Sequence, residues 1–287
     1  MVRIFEDARL LAAGVDWITA TAKDVEPCER LLKLGREAQT LQEGYGYFGR
    51  RAGFQGYSGY GVEGCFVGTR GDGACLRASG SIAHRLAADI ARIPVNITRL
   101  DLHITVQFDE DRKDYARAFM EAYRHESKRE NGDTKRRTQL VDADCDGSTA
   151  AFGARSSAFY ARLYDKGRED TRSYALGTWR IEGECKRSLG QAAFEALAEH
   201  SFSPEAVIAM MRNQFRARGV QIMVQSPLSL DALVIPRAVT DVERRLAWLE
   251  RVARPVVRAL HDAGHDAAAT RALYGWMMPD ATGSDEG

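Results

Sequence analysis

The chain has 287 residues, 45% hydrophobic and 28% charged, with 40 Lys and Arg matched by 40 Asp and Glu. That length supports a substantial core and two sub-domains, and a formal net charge of zero excludes nucleic-acid binding through bulk charge, leaving local patches as the only route. The five cysteines, Cys28, Cys65, Cys75, Cys145 and Cys185, are odd in number and form no C-x-x-C pair, which argues for free thiols in a reducing compartment over a disulfide framework or a zinc ribbon.

The first residues carry charges where a signal peptide needs an apolar run, and no window approaches the ~18 apolar residues of a membrane span, so a cytoplasmic protein without a membrane partner is expected. Residues 15–20 alternate like a strand, and Asp24 is placed to cap a helix over 24–43 with Cys28, Leu31, Leu32, Leu34 and Ala38 near one face. Between Gly44 and Gly73 eleven glycines are interleaved with Tyr45, Tyr47, Phe48, Phe54, Tyr57, Tyr60 and Phe66. This spacing predicts short antiparallel strands joined by glycine turns, with a base-stacking platform as the functional alternative; no helix follows in the register of a phosphate-binding loop.

Residues 81–93 place Ile82, Leu86, Ile90 and Ile93 on one helical stripe that Pro94 ends. The clearest strand covers 96–108. A helix over 111–128, a basic loop over 128–137, strands over 139–143, 150–154, 158–166 and 179–186, and a helix over 191–199 follow. The order, β-α-β-β-β-α-β and then helix, strands and helix, predicts an α+β fold of two related antiparallel-sheet halves backed by helices. The expected divisions are an amino-terminal α+β half over 1–95, a catalytic α+β half over 96–200, a helical region over 201–278 and a disordered tail over 279–287. In the helical region Ser203 and Pro204 form a cap and first-turn pair, and 240–260 aligns Leu246, Leu249, Val252, Val256 and Leu260.

Three stretches carry the chemistry. Every second position collects Arg99, Asp101, His103 and Thr105 from the first, Tyr160, Arg162, Tyr164 and Lys166 from the second, and Arg180, Glu182, Glu184 and Lys186 from the third. Taken singly, each stripe also describes the solvated face of a half-buried sheet. If the three strands share a sheet, one face holds carboxylates, an imidazole, tyrosines and cations together. Asp101, His103, Glu182 and Glu184 then suit Mg²⁺ or Mn²⁺, the two glutamates lying about 6.6 Å apart along their strand at ~3.3 Å per residue. Such an ion polarises a phosphate oxygen, Lys166, Arg162 and Arg180 neutralise phosphate charge, and a tyrosine hydroxyl attacks phosphorus once a cation or base activates it.

These segments together resemble the replication initiation factor family, the rolling-circle initiators of plasmids, integrative elements and filamentous phages. Thr98, Arg99, Leu100, Asp101 and Leu102 resemble its T-R-hydrophobic-D-hydrophobic strand. The run from Phe152 to Ser157, followed by Arg162, Tyr164, Asp165 and Lys166, is similar to its G-S-R-x-S … R-x-Y-[DE]-K segment. Arg180, Glu182 and Lys186 resemble its R-x-E … K strand, with Asp16 and Trp17 and then Trp248 and Leu249 as looser flanking signatures.

The resemblance spans roughly residues 14 to 260 and implies a metal-dependent DNA-nicking endonuclease and strand transferase. Such a protein binds a replication origin, melts or extrudes a hairpin, cuts one strand through a tyrosine to form a 5′-phosphotyrosine link, and leaves a 3′-hydroxyl for a host polymerase. It implies a homodimer and, with no Walker motif in the chain, a separate host helicase. Two positions depart from the pattern. Ile181 stands where plasmid initiators place the nucleophile directly before the glutamate, and Thr105 replaces a second acidic residue, with His103 between. The nucleophile therefore stays open among Tyr164, Tyr160 and Tyr174, the strand pattern favouring Tyr164. A non-catalytic DNA-binding regulator descended from an initiator, and a metal-dependent hydrolase of small phosphoesters, are the alternatives.

Overall fold

A computed structural model of the chain describes residues 1–43, 50–131, 138–143, 147–224, 258, 262 and 264. The expected helix over 240–260 apart from residue 258, the tail over 279–287, Trp248 and Leu249, Tyr45, Tyr47, Phe48, Cys145 and residues 132–137 of the basic loop lie outside the described residues. Two compact units are present, Met1–Ala238 and Val239–Gly287; the strands and helices that follow all belong to the first.

A short β1 (Val2–Ile4) precedes a long β2 (Arg9–Ala22), α1 (Val25–Glu43), four strands β3 (Arg50–Phe54), β4 (Tyr57–Val62), β5 (Cys65–Arg70) and β6 (Gly73–Ser79), and α2 (Gly80–Ile90). The pattern then recurs as β7 (Asn96–Gln107), α3 (Tyr115–Asn131), β8 (Thr138–Ala143), β9 (Gly147–Phe152), β10 (Phe159–Asp165), the single turn α4 (Lys166–Glu169), β11 (Thr178–Lys186) and α5 (Arg187–Ala198). Helix α6 (Pro204–Arg216) and β12 (Val220–Ile222) follow, and β12 pairs in parallel with β1. The glycine-rich stretch thus holds four strands where three were expected.

Ten strands form one antiparallel sheet in the order β3-β4-β5-β6-β2-β7-β11-β10-β9-β8. Read outward from the centre, the amino-terminal strands run β2, β6, β5, β4, β3 and the carboxy-terminal strands β7, β11, β10, β9, β8. Apart from the single turn α4, each half is therefore strand, helix, four strands, helix, with its first strand central and its last strand beside it. Even the entry into the closing helix is shared. Gly80 at φ 59 starts α2 after extended Ser79, and Arg187 at φ 56 starts α5 after extended Lys186. The two related halves expected from the element order are seen in the topology, joined as one continuous sheet.

The sheet's apolar face explains why the strands form. On β7, Leu100, Leu102, Ile104 and Val106 alternate with polar residues and are fully buried, each such side chain contributing about 1.5–3 kcal/mol of burial. Helices back this face. A Cβ at Gly35 of α1 would lie 2.8 Å from Val67, so the glycine lets α1 seat directly on β5. Phe119 of α3 packs on Phe152 at 5.5 Å between ring centroids, and Phe215 of α6 contacts Phe152 and Phe159 at 5.4 Å each. The expected cap of α6 is present: Ser203 Oγ accepts the Ala206 N–H at 3.2 Å, with Pro204 opening the helix.

Candidate active site

The three stretches singled out by alternation are β7, β11 and β10, consecutive neighbours in the sheet. Their register aligns the polar stripes. Arg99 faces Lys186, Asp101 faces Glu184, His103 faces Glu182 and Thr105 faces Arg180; across β11, Glu184 faces Tyr160, Glu182 faces Arg162 and Arg180 faces Tyr164. All these side chains rise from the face opposite Leu100, Leu102 and Ile104. Ile181, by contrast, is fully buried on the apolar face between Leu163 and Ile104.

This is not a solvated face. Asp101 is 3% exposed, Glu182 5% and Arg180 7%, and buried charges persist only when paired. Arg99 grips Asp101 with both ends of its guanidinium, Nε to Oδ1 at 2.9 Å and Nη2 to Oδ2 at 2.5 Å, while its Nε also lies 3.3 Å from Glu184. Glu184 reaches Lys186 Nζ at 3.0 Å. Glu182 accepts from Arg162 Nη2 at 2.5 Å and from the Tyr164 hydroxyl at 2.5 Å. Arg180 donates to Thr105 Oγ1 at 2.9 Å and to the Tyr174 hydroxyl at 3.1 Å. Burial outweighs the Arg99 fork and pushes the Asp101 carboxyl up to about 7.

One residue of this cluster was visible in the sequence only as part of a loose flanking signature. The pairing of β2 with β7 slips between Val15 and Trp17, so Asp16 is the extra residue of a bulge. Its carboxylate lies 3.5 Å from Arg180 Nη1 and 4.0 Å from His103 Nδ1. Burial, and then the charge of Glu182, raise its pKa. The bulge also permits Gly14 to pair with His103, and His84 of α2 to accept the Val15 N–H at 3.5 Å. The signal was an aspartate out of phase in an otherwise apolar run, which strict alternation assigns to the opposite face.

His103 Nδ1 is buried and has no hydrogen-bond partner. Burial, followed by the charge of Arg180, holds the ring neutral, with its pKa lowered to about 3. Lys166 is not on β10, where alternation placed it. Asp165 caps a new helical turn by accepting the Arg168 N–H at 3.0 Å, and Lys166 is the first residue of α4. Its Nζ pairs with Glu169 at 2.5 Å and still lies 5.8 Å from the Tyr164 ring centroid and 5.7 Å from that of Tyr174.

The three candidate tyrosines have different surroundings. The Tyr164 hydroxyl is buried against Glu182, and burial and that carboxylate both push its pKa well above the ordinary phenol value. Tyr160 is buried between Lys186 and Arg155, each within 6 Å of its ring. Tyr174 is half-buried in the turn after α4, its hydroxyl on Arg180 and its ring beside Lys166.

Among the described residues no three His, Cys, Asp or Glu side chains converge into a metal cage. Asp101 and Glu184 share Arg99, and Glu182 is engaged by Arg162 and Tyr164, so the four expected ligands share a face without surrounding one point. The group that does fit a divalent ion is the uncommitted, neutral His103 Nδ1 with the Asp16 carboxylate beside it.

No helix among the described residues is long and apolar enough to cross a membrane. The chain matches no protein-family model and no curated protein. Among solved structures it is similar to a rolling circle replication initiator protein from Geobacillus stearothermophilus, at 17% identity and a TM-score of 0.49, over 71% of this chain and 84% of that one.

Proposed function

We propose that the protein is a rolling-circle replication initiator that nicks one strand of DNA through a tyrosine. The observation that carries this reading is the convergence of Asp101, Glu182, Arg180, Lys166 and two tyrosines on one buried polar face, from three segments that in order resemble the initiator family. We assign the nucleophile to Tyr174. Its hydroxyl accepts from the Arg180 guanidinium at 3.1 Å and its ring lies beside Lys166, so a phosphate reached by that oxygen would meet two cations. Tyr164 acts as a positioning residue, fixing the Glu182 carboxylate through its hydroxyl.

The step is a transesterification. The Tyr174 oxygen bonds to phosphorus, the bond from phosphorus to the 3′-oxygen breaks, the phenol proton leaves to a nearby carboxylate, and the departing 3′-oxygen takes up a proton. Arg180 and Lys166 balance charge on the phosphoryl oxygens. Mg²⁺ or Mn²⁺, when bound, would supply Lewis-acid polarisation of the phosphate; His103 and Asp16 are the residues that would hold it. DNA is the partner, with a host helicase and polymerase acting after the cut.

The rival reading, a DNA-binding regulator without cleavage, draws on Ile181, which is buried on the apolar face and cannot replace the missing tyrosine there. A pool of random single-stranded oligonucleotides incubated with the chain and Mn²⁺, followed by mass spectrometry of peptide–oligonucleotide adducts, decides between them. An adduct on the peptide containing Tyr174 is expected. An adduct on Tyr160 or Tyr164 overturns the assignment of the nucleophile, and DNA binding with no adduct overturns nicking.

A further inference from the structure

On the same sheet face, in the amino-terminal half, lies a strip that the cleavage chemistry leaves unused. Trp17 on β2 faces Asp101 on β7; two residues along β2, Thr19 faces Arg77 of β6, which in turn faces Phe66 of β5. The Arg99 guanidinium that grips Asp101 lies 4.6 Å from the Trp17 ring centroid; the Arg77 guanidinium lies 5.1 Å from the Trp17 ring centroid and 5.1 Å from that of Phe54. Phe54 leans on the buried ring of Phe66 at 5.8 Å, which lies over Gly68, where an added Cβ would come within 2.7 Å of it. Arg70 stacks on Tyr57 at 4.8 Å farther out.

The charge of Arg77 sets this strip apart. Arg99, Arg162, Arg168 and Arg180 each face a carboxylate. Among the described residues no carboxylate pairs with Arg77, and its buried Nε has no hydrogen-bond partner. A half-buried guanidinium near two aromatic rings and without an anion suits a ligand that offers both a π-face and a phosphate.

We infer that this strip binds single-stranded DNA leading to or from the cleavage site, Arg77 taking a backbone phosphate while bases stack beside Phe54 and Trp17. The inference rests on the proposed nickase reading for the identity of the strand, and it adds where that strand lies. The strip is continuous with the cleavage face through Trp17, Arg99 and Asp101.

Fluorescence anisotropy of a labelled oligo-dT with the full chain, in EDTA so that cleavage is silent, tests it. Arg77→Gln and Phe54→Leu are each expected to weaken binding about tenfold, the order set by losing a stacked base or a buried phosphate contact. Arg77→Gln should also reduce the salt dependence by about 0.7 in slope, as one lost phosphate contact does for a single strand, whereas Phe54→Leu should leave that slope unchanged. If Arg77→Gln lowers the melting temperature, Arg77→Lys, which keeps the charge and loses the planar stack, replaces it and should retain the slope with weaker binding. Unchanged affinity in the folded variants, or no binding by the parent chain, overturns the inference. A chain that binds through the strip yet never forms a tyrosine adduct keeps this inference and loses the nickase; a chain that forms the adduct while the strip variants bind normally does the reverse.

Discussion

The two halves of the sheet share a topology and differ in what their polar faces carry. Counting back from the left-handed residue that starts each closing helix, Gly80 or Arg187, aligns Arg77 of β6 with Glu184 of β11 and Cys75 with Glu182. One half bears carboxylates at these two positions, and the other bears a cation and a thiol, the latter pushed up to about 11 by burial. Burying Glu182 requires Arg162, Tyr164 and Arg180 around it, whereas the amino-terminal face is paved with glycine and aromatic side chains and holds no comparable network among its described residues. The scaffold is therefore neutral as to chemistry: the residue pattern on one face makes one half a candidate for cleavage and the other a candidate for gripping the strand.

The largest expected effect breaks the comparison at those aligned positions. Glu182→Gln removes the carboxylate that faces Arg162, Tyr164 and His103 and should slow adduct formation by about 10²–10⁴-fold, the range of an acid–base or charge-positioning group. Cys75→Ala, at the matching position of the other half, should leave the single-turnover rate as it is. Equal rates for Glu182→Gln and the parent would end the assignment of this face to cleavage.

How far this division was legible in the residues depends on the local rule at work. Alternation located β7, β10 and β11 because each has one apolar and one polar side, and it aligned Asp101, His103, Glu182 and Glu184 on one face without any knowledge of pairing. It could not show that these strands are neighbours, which depends on contacts distant in sequence. Nor could it place Asp16, because a bulge adds a residue and shifts the phase of the strand by one. Lys166 kept its neighbourhood but changed its element, since Asp165 both ends β10 and caps α4. The helix expected from residue 111 starts at Tyr115, after Asp111 is drawn into a pair with Arg168 at 2.5 Å. The duplication was legible as an order of elements and not as residue identity, because topology constrains which positions are apolar and leaves the polar ones free.

The acid–base behaviour of the carboxy-terminal face offers an intermediate effect. His103 is held neutral down to about 3 in the folded chain against 6.5 when unfolded, so in that window the unfolded chain binds the extra proton and stability rises with pH. Asp101 works in the opposite direction: the folded chain keeps its proton up to about 7 against 3.8 unfolded, so stability falls as pH rises between them. From 3.8 to 6.5 the two contributions oppose each other, each with a slope of about 1.4 kcal/mol per pH unit. His103→Gln should expose the Asp101 slope, with urea midpoints falling as pH rises, and Asp101→Asn should expose the His103 slope, with midpoints rising. Identical pH profiles for both variants would show that these groups are not buried on a common face.

The smallest effect sharpens the comparison at a backbone feature that both halves share. Each closing helix begins with a residue at positive φ, and the two halves meet that demand with different residues. Gly80 has no Cβ to strain, and an added Cβ would meet open space, so Gly80→Ala tests the backbone alone and should cost about 1 kcal/mol. Arg187 carries that strain already. Relieving it favours Arg187→Gly by about 1–2 kcal/mol, and the greater chain entropy of glycine offsets about 0.5–1 kcal/mol of this, leaving a small net gain. Opposite signs for the two substitutions in thermal melts would establish that the junctions are equivalent in conformation and differ only in side chain. A loss of stability in Arg187→Gly would mean that the arginine side chain makes a contribution its counterpart lacks, and the equivalence would then end at the polar face.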